Sequence, residues 1–127
     1  MLRVDDLHTY LGASHVLQGV TFSVERGRVA AMLGRNGVGK TTTVRSIIGL
    51  ARPRAGRITV GNKAVAGLPP HLVARAGVSY VPEGRMIFPD LTVVENIRIA
   101  QRRAPRYWTA DQLFQLFRTG GHAVLTR

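Results

Sequence analysis

The chain has 127 residues, room for one compact domain, and its 45% hydrophobic content supports a core. The absence of cysteine excludes disulfides and thiolate metal sites, no apolar stretch reaches the roughly 18 residues of a membrane-spanning helix, and Arg3, Asp5 and Asp6 interrupt the N-terminus too early for a secretion signal. The net charge of +11 comes almost entirely from scattered Arg, with Lys only at Lys40 and Lys63. No run of roughly five or six like charges and no interleaved aromatics accompany it, so it reads as a solvated basic surface, with contact to an anionic membrane surface as the alternative, and not as a nucleic-acid interface.

Residues 2–7 read as a short strand and residues 16–24 as a second, closed by a turn at Glu25-Arg26-Gly27. Residues 29–33, Val-Ala-Ala-Met-Leu, are uninterrupted apolar sequence, the pattern of a strand buried on both faces of a parallel sheet. A helix follows over 40–50 with Val44, Ile47 and Ile48 on its apolar side, then a brief strand over 57–60. Pro69-Pro70 opens a helix that Gly77 closes. A strand over 78–81 comes next. Thr92 and Glu95 form a capping box for a helix running to about 103, and Thr109 with Gln112 repeats the pattern for a last helix to 117. Strand and helix alternate from Val29 onward, which predicts an α/β fold.

Gly34-Arg35-Asn36-Gly37-Val38-Gly39-Lys40-Thr41 fits the spacing Gly, four residues, Gly-Lys-Ser/Thr. Such a loop wraps phosphates closely, with backbone dihedrals that a side chain would forbid. Its amides converge on the β-phosphate, aided by the positive end of the helix beginning at Lys40. Lys40 then reaches the β- and γ-phosphates, the Thr41 hydroxyl ligates Mg²⁺, and Thr42 completes the candidate set. The loop follows an apolar run and opens a helix, as the motif requires. His8, His15 and His71 are separated and share no ligand spacing, which argues against a metal site built from them. Tyr107 and Trp108 read as packing residues.

The residues around the loop resemble the ATP-binding cassette family. Tyr10, then Val16-Leu-Gln-Gly-Val-Thr-Phe-Ser-Val24 and Gly27, are similar to that family's first antiparallel strands, where an aromatic residue stacks on adenine. The resemblance makes Tyr10 the adenine platform, and base stacking is worth roughly 1–3 kcal/mol. Arg52-Pro-Arg-Ala-Gly56-Arg-Ile-Thr-Val60 is similar to the family's link into the strand before Gly61. Val81-Pro82-Glu83-Gly84-Arg85 follows, with Phe88 and Leu91-Thr92-Val93. Most of the family has glutamine in the place of Glu83, touching Mg²⁺ and the attacking water. A carboxylate there also ligates Mg²⁺, and more strongly. This segment resembles the branched-chain amino acid uptake ATPases, although Val94 departs from their usual acidic residue.

The resemblance implies a P-loop ATPase core with the family's antiparallel β-subdomain, incomplete at the C-terminus. It implies ATP and Mg²⁺ as cofactors, with Tyr10 and residues 34–42 on the nucleotide and Thr41 and Glu83 on the metal. ATP hydrolysis would drive import of branched-chain amino acids, or of urea or another amide-type solute. Partners would be membrane permease subunits and a second ATPase subunit, identical or not, at the cytoplasmic face of the plasma membrane.

The likeness covers residues 1–117, whereas 118–127 show neither periodicity nor likeness and read as the product of a frameshift or premature stop. The family's Leu-Ser-Gly-Gly signature, magnesium aspartate, catalytic glutamate and switch histidine have no counterpart; Gly120-Gly121 and His122 do not fill those roles. Lys40 and Glu83 thus contribute to a catalytic set that is not complete. The alternative reading is a fragment that binds nucleotide without hydrolysing it, or one without function. Without the strand that carries the aspartate, apolar surface along 29–33 should lie open.

Overall fold

The structure, a computed structural model, describes residues 1–84, 86–100, 109, 112, 113 and 115. The chain divides into two units, Met1–Val81 and Pro82–Arg127, each taken by itself below.

In the first unit β1 (Leu2–Leu11) and β2 (Ser14–Val24) form an antiparallel hairpin, longer on both sides than sequence periodicity indicates. Its two-residue turn, Gly12-Ala13, places Gly12 at φ +60°, a conformation open to glycine. β3 (Pro53–Val60) pairs with the other edge of β1, and β4 (Lys63–Ala64) pairs with β3, giving the order β2-β1-β3-β4. All these pairings are antiparallel.

A bulge in β1 decides which of its side chains reach the core. Regular alternation from buried Val4 would turn Asp6, His8 and Tyr10 inward. Asp6 instead adopts φ +45°, and the register shifts between Val4 and Leu7. One extra residue reverses the faces beyond it. Leu7 and Thr9 are therefore fully buried, while Asp6 is exposed and His8 and Tyr10 are half-buried. The Asp6 amide donates to Thr21 Oγ1 at 2.9 Å across the hairpin. β3 passes the bulge at Gly56, where a Cβ would lie 2.4 Å from the Asp6 carbonyl oxygen. Only glycine fits there.

The core joins Val4, Leu7, Leu17 and Ile58 of the sheet to Ile47, Val65 and Val73. Ile47 lies on α1 (Lys40–Ile47), Val73 on α2 (Pro70–Arg75). The buried face of α1 differs from expectation. Ile47 and Ile48 are inside, but Val44 is 36% exposed, and Thr42, Thr43 and Ser46 are buried in its stead. Their burial is permitted because hydroxyls find partners: Thr43 Oγ1 donates to the Gly39 carbonyl at 2.9 Å, and Thr9 and Ser46 hydroxyls meet at 2.9 Å. The helix stops before Leu50. Gly49 turns left-handed at φ +80°, and the Leu50 amide returns to the Arg45 carbonyl at 2.8 Å. For α2 the expected ends hold, with Pro69 as cap, Pro70 in the first turn and Gly77 at φ +104° just beyond.

Two expected strands do not form. Residues 29–33 join no ladder among the described residues, with Val29 99% and Leu33 88% exposed. Residues 78–81 likewise pair with nothing described, and Val81 is 90% exposed. A parallel strand needs a neighbour on its edge, and the described residues supply none. The open apolar surface expected along 29–33 is therefore present.

In the second unit α3 (Val93–Ala100) starts at a complete capping box. Thr92 N and Oγ1 donate to Glu95 Oε2 at 2.8 and 2.7 Å, and Glu95 N donates to Thr92 Oγ1 at 3.3 Å. The Asn96 side chain fastens the preceding turn, donating to the carbonyls of Phe88, Leu91 and Thr92 and accepting from the Phe88 amide. The second box also forms, between Thr109 and Gln112. Tyr107, Trp108, the remainder of the expected last helix and residues 118–127 lie outside the described residues.

Candidate functional site

The glycine loop runs between residue 33 and the first turn of α1. Gly34, Gly37 and Gly39 have φ of +153°, +86° and +94°. Gly39 caps α1 in the left-handed region, with no side chain bonded to the first-turn amides and no acidic residue among them. Those amides and the helix dipole point at the same place, which is the requirement for holding an anion. Lys40 supplies the fixed charge: its Nζ donates to the Gly34 and Arg35 carbonyls at 2.5 and 2.7 Å, folding the ammonium over the loop. Arg35, Asn36, Gly37, Val38 and Thr41 are exposed along its rim, while Thr42 is buried beneath. Donors without a competing carboxylate, next to an exposed hydroxyl at Thr41, fit a nucleotide phosphate with its magnesium ion.

The sheet seats this loop. A Cβ on Gly39 would meet Leu17 Cδ2 at 2.8 Å and the Val16 carbonyl oxygen at 3.5 Å, so the loop's end lies directly on β2. The buried Thr9–Ser46 hydrogen bond fixes α1 to β1 as well. Tyr10 follows Thr9 and pairs with His15, which precedes Val16. The expected adenine platform and the phosphate loop therefore sit at neighbouring positions on one hairpin.

Around Tyr10 the structure brings together residues that sequence spacing keeps apart. The His15 imidazole lies parallel to the Tyr10 ring, with centroids 4.2 Å apart and 4° between planes. Arg54 of β3 places its guanidinium carbon 5.2 Å from the centre of the same ring. His8 Nδ1 meets His15 Nε2 at 3.0 Å, and His8 Nε2 meets Asp6 Oδ1 at 3.0 Å. His8 and His15 are thus not separated, because the Gly12-Ala13 turn folds one onto the other. A two-residue turn centred between them is the signal that could have paired them; Arg54 offered none.

Glu83 belongs to the second unit, exposed in a turn with Gly84 at φ +92°. Phe88, Leu91 and Thr92 lie in the segment that Asn96 organises.

The fold and the glycine loop define a P-loop ATPase domain carrying an antiparallel sheet. The chain belongs to the ABC transporter family, whose profile matches residues 17–124. It is 36% identical over 118 residues to the autoinducer 2 import ATP-binding protein LsrA of Enterobacter sp. (strain 638), covering 91% of this chain and 24% of that protein. It is 35% identical over 97 residues to the high-affinity branched-chain amino acid transport ATP-binding protein BraG of Pseudomonas aeruginosa, covering 76% of this chain and 42% of that one. A solved ATP-binding subunit of an ABC transporter superposes with a TM-score of 0.71 at 40% identity, over 79% of this chain and 41% of its own. The chain thus spans less than half the length of these three relatives. No helix among the described residues is long and apolar enough to cross a membrane.

Proposed function

We propose that this chain is the nucleotide-binding part of an ABC transporter motor subunit, which couples ATP binding and hydrolysis to import of branched-chain amino acids. Tyr10 stacks on adenine. Residues 34–42 hold the phosphates, with Lys40 at the β- and γ-oxygens, and Thr41 and Glu83 ligate Mg²⁺. When bound, Mg²⁺ neutralises phosphate charge; the residues around it bind and orient the nucleotide. Among the seven acidic residues only Glu83 matches a position that the family uses at the metal, so the role of these 127 residues in this reading is to bind and orient the nucleotide. Membrane permease subunits and a second ATPase subunit are the partners, at the cytoplasmic face of the membrane.

The observation that carries this reading is the loop itself: left-handed glycines, uncapped helix amides and an ammonium folded over them, seated on β2 beside Tyr10. For the solute, support comes from the Glu83-Gly84-Arg85 segment and from BraG; LsrA, at similar identity, is named for a different cargo.

Calorimetry of ATP binding tests the nucleotide assignment. Lys40→Ala removes a charge-assisted contact worth about 1.5–3 kcal/mol, so affinity falls by roughly ten- to a hundred-fold. Unchanged affinity would refute the site.

A further inference from the structure

We propose that His15 is a positioning residue of the purine site: hydrogen-bonded to His8, which Asp6 in turn holds, it stacks on the Tyr10 ring and orients that ring for the base. This rests on the reading of Tyr10 as the adenine platform.

A chain of hydrogen bonds holds both imidazoles in place. The Asp6 carboxylate only accepts, so His8 Nε2–H donates to Asp6 Oδ1 across 3.0 Å. His8 Nδ1 lies 3.0 Å from His15 Nε2, and a hydrogen bond joins the two rings. Asp6 and His15 occupy opposite nitrogens of His8, so the three converge on no common point. They form a relay and not a metal clamp. Its end is an imidazole held flat against a phenol ring, 4° from parallel, at a separation where aromatic rings attract.

A tyrosine at a strand end has rotamers to choose from, and ordering it on binding weakens the net gain. Here one of its faces is already stacked. The bulge at Asp6 is what makes this possible, because it turns Asp6, His8 and Tyr10 away from the core onto the side where His15 arrives from β2. Arg54 contributes a cation to the same ring from β3. The site thus draws on all three long strands, and the Tyr10 ring is oriented before the base arrives.

The full chain carrying Tyr10→Ala, His15→Ala, His15→Phe or both alanines tests this. Affinities are measured for ATP and for inorganic tripolyphosphate, which has the phosphates and no base. Tyr10→Ala and His15→Ala should each weaken ATP, the latter roughly three- to ten-fold, while leaving tripolyphosphate unchanged. His15→Phe, which keeps a flat ring and drops the relay bond, should recover most of the loss, and the double variant should lose no more than Tyr10→Ala alone. If Tyr10→Ala leaves ATP binding intact, the reading of Tyr10 fails and this proposal falls with it. If Tyr10→Ala weakens ATP but His15→Ala does not, the proposal alone is overturned. Equal loss of ATP and tripolyphosphate in His15→Ala would show a purely structural role and overturn it too.

Discussion

Thr9 and Ser46 carry a small interaction with a large positional consequence. Both are fully buried, and their hydroxyls meet at 2.9 Å between β1 and α1. A buried hydroxyl deprived of its partner keeps the full cost of leaving water. Thr9→Val preserves shape but strands the Ser46 hydroxyl, and should lower unfolding free energy by about 1–3 kcal/mol. Thr9→Ser keeps the bond and should lose less. Denaturant melts of the two variants decide it, and equal midpoints would mean that the hydrogen bond holds nothing in place. Thr9 is also the residue before Tyr10, so this bond holds Tyr10 in register with the helix that follows the glycine loop. Sequence reading assigned that helix an apolar face and missed its hydroxyl-lined one, because a buried Ser or Thr looks polar until its partner is known.

The elements divide between those closed by local rules and those that need neighbours. α3 belongs to the first kind. Its capping box was legible from Thr92 and Glu95 alone, since the partners lie three residues apart. Hydrogen bonds from the Thr92 hydroxyl and amide hold the Glu95 carboxyl below its ordinary value of 4.5, with Arg98 adding a smaller push the same way. A carboxylate with a depressed folded pKa stabilises above its unfolded pKa and loses that contribution as pH falls through the folded one. Helicity of the 93–100 segment should therefore hold at neutral pH and decline below about 4.5, and Glu95→Gln should flatten that decline. Amide chemical shifts followed from pH 7 to pH 3 measure it; an identical titration in Glu95→Gln would exclude Glu95 as the cause. β1 is of the second kind. Its bulge depends on Thr21 in β2 and on the missing side chain at Gly56 in β3, neither of which is local.

At the scale of the molecule, the first unit is a four-stranded sheet with two helices, beside an apolar segment that has found no ladder. Residues 29–33 have the composition of a central parallel strand, yet Val29 and Leu33 are almost wholly exposed. Composition states which surface a segment would bury, and only a neighbouring strand can bury it. The proposed solute also belongs to this scale, because in the proposed transporter a permease and not the ATP-binding subunit would touch what is carried. Cells that express the transporter with and without this protein should differ in uptake of labelled leucine and not of labelled urea. Leucine uptake that survives its removal, or loss of urea uptake alone, would overturn the branched-chain assignment.

The sequence by itself determined the glycine loop and the caps of α2 and α3, since each is specified by residues within a few positions of one another. The tertiary structure alone decided the surroundings of Tyr10. Asp6, His8, His15 and Arg54 come from three strands, and the left-handed turn at Asp6, with further register shifts between Leu7 and His8 and between Thr9 and Tyr10, decides how they meet. A one-residue shift of register leaves the composition of a strand unaltered and reverses every side chain beyond it. That is why the stack could be read only once the strands were paired.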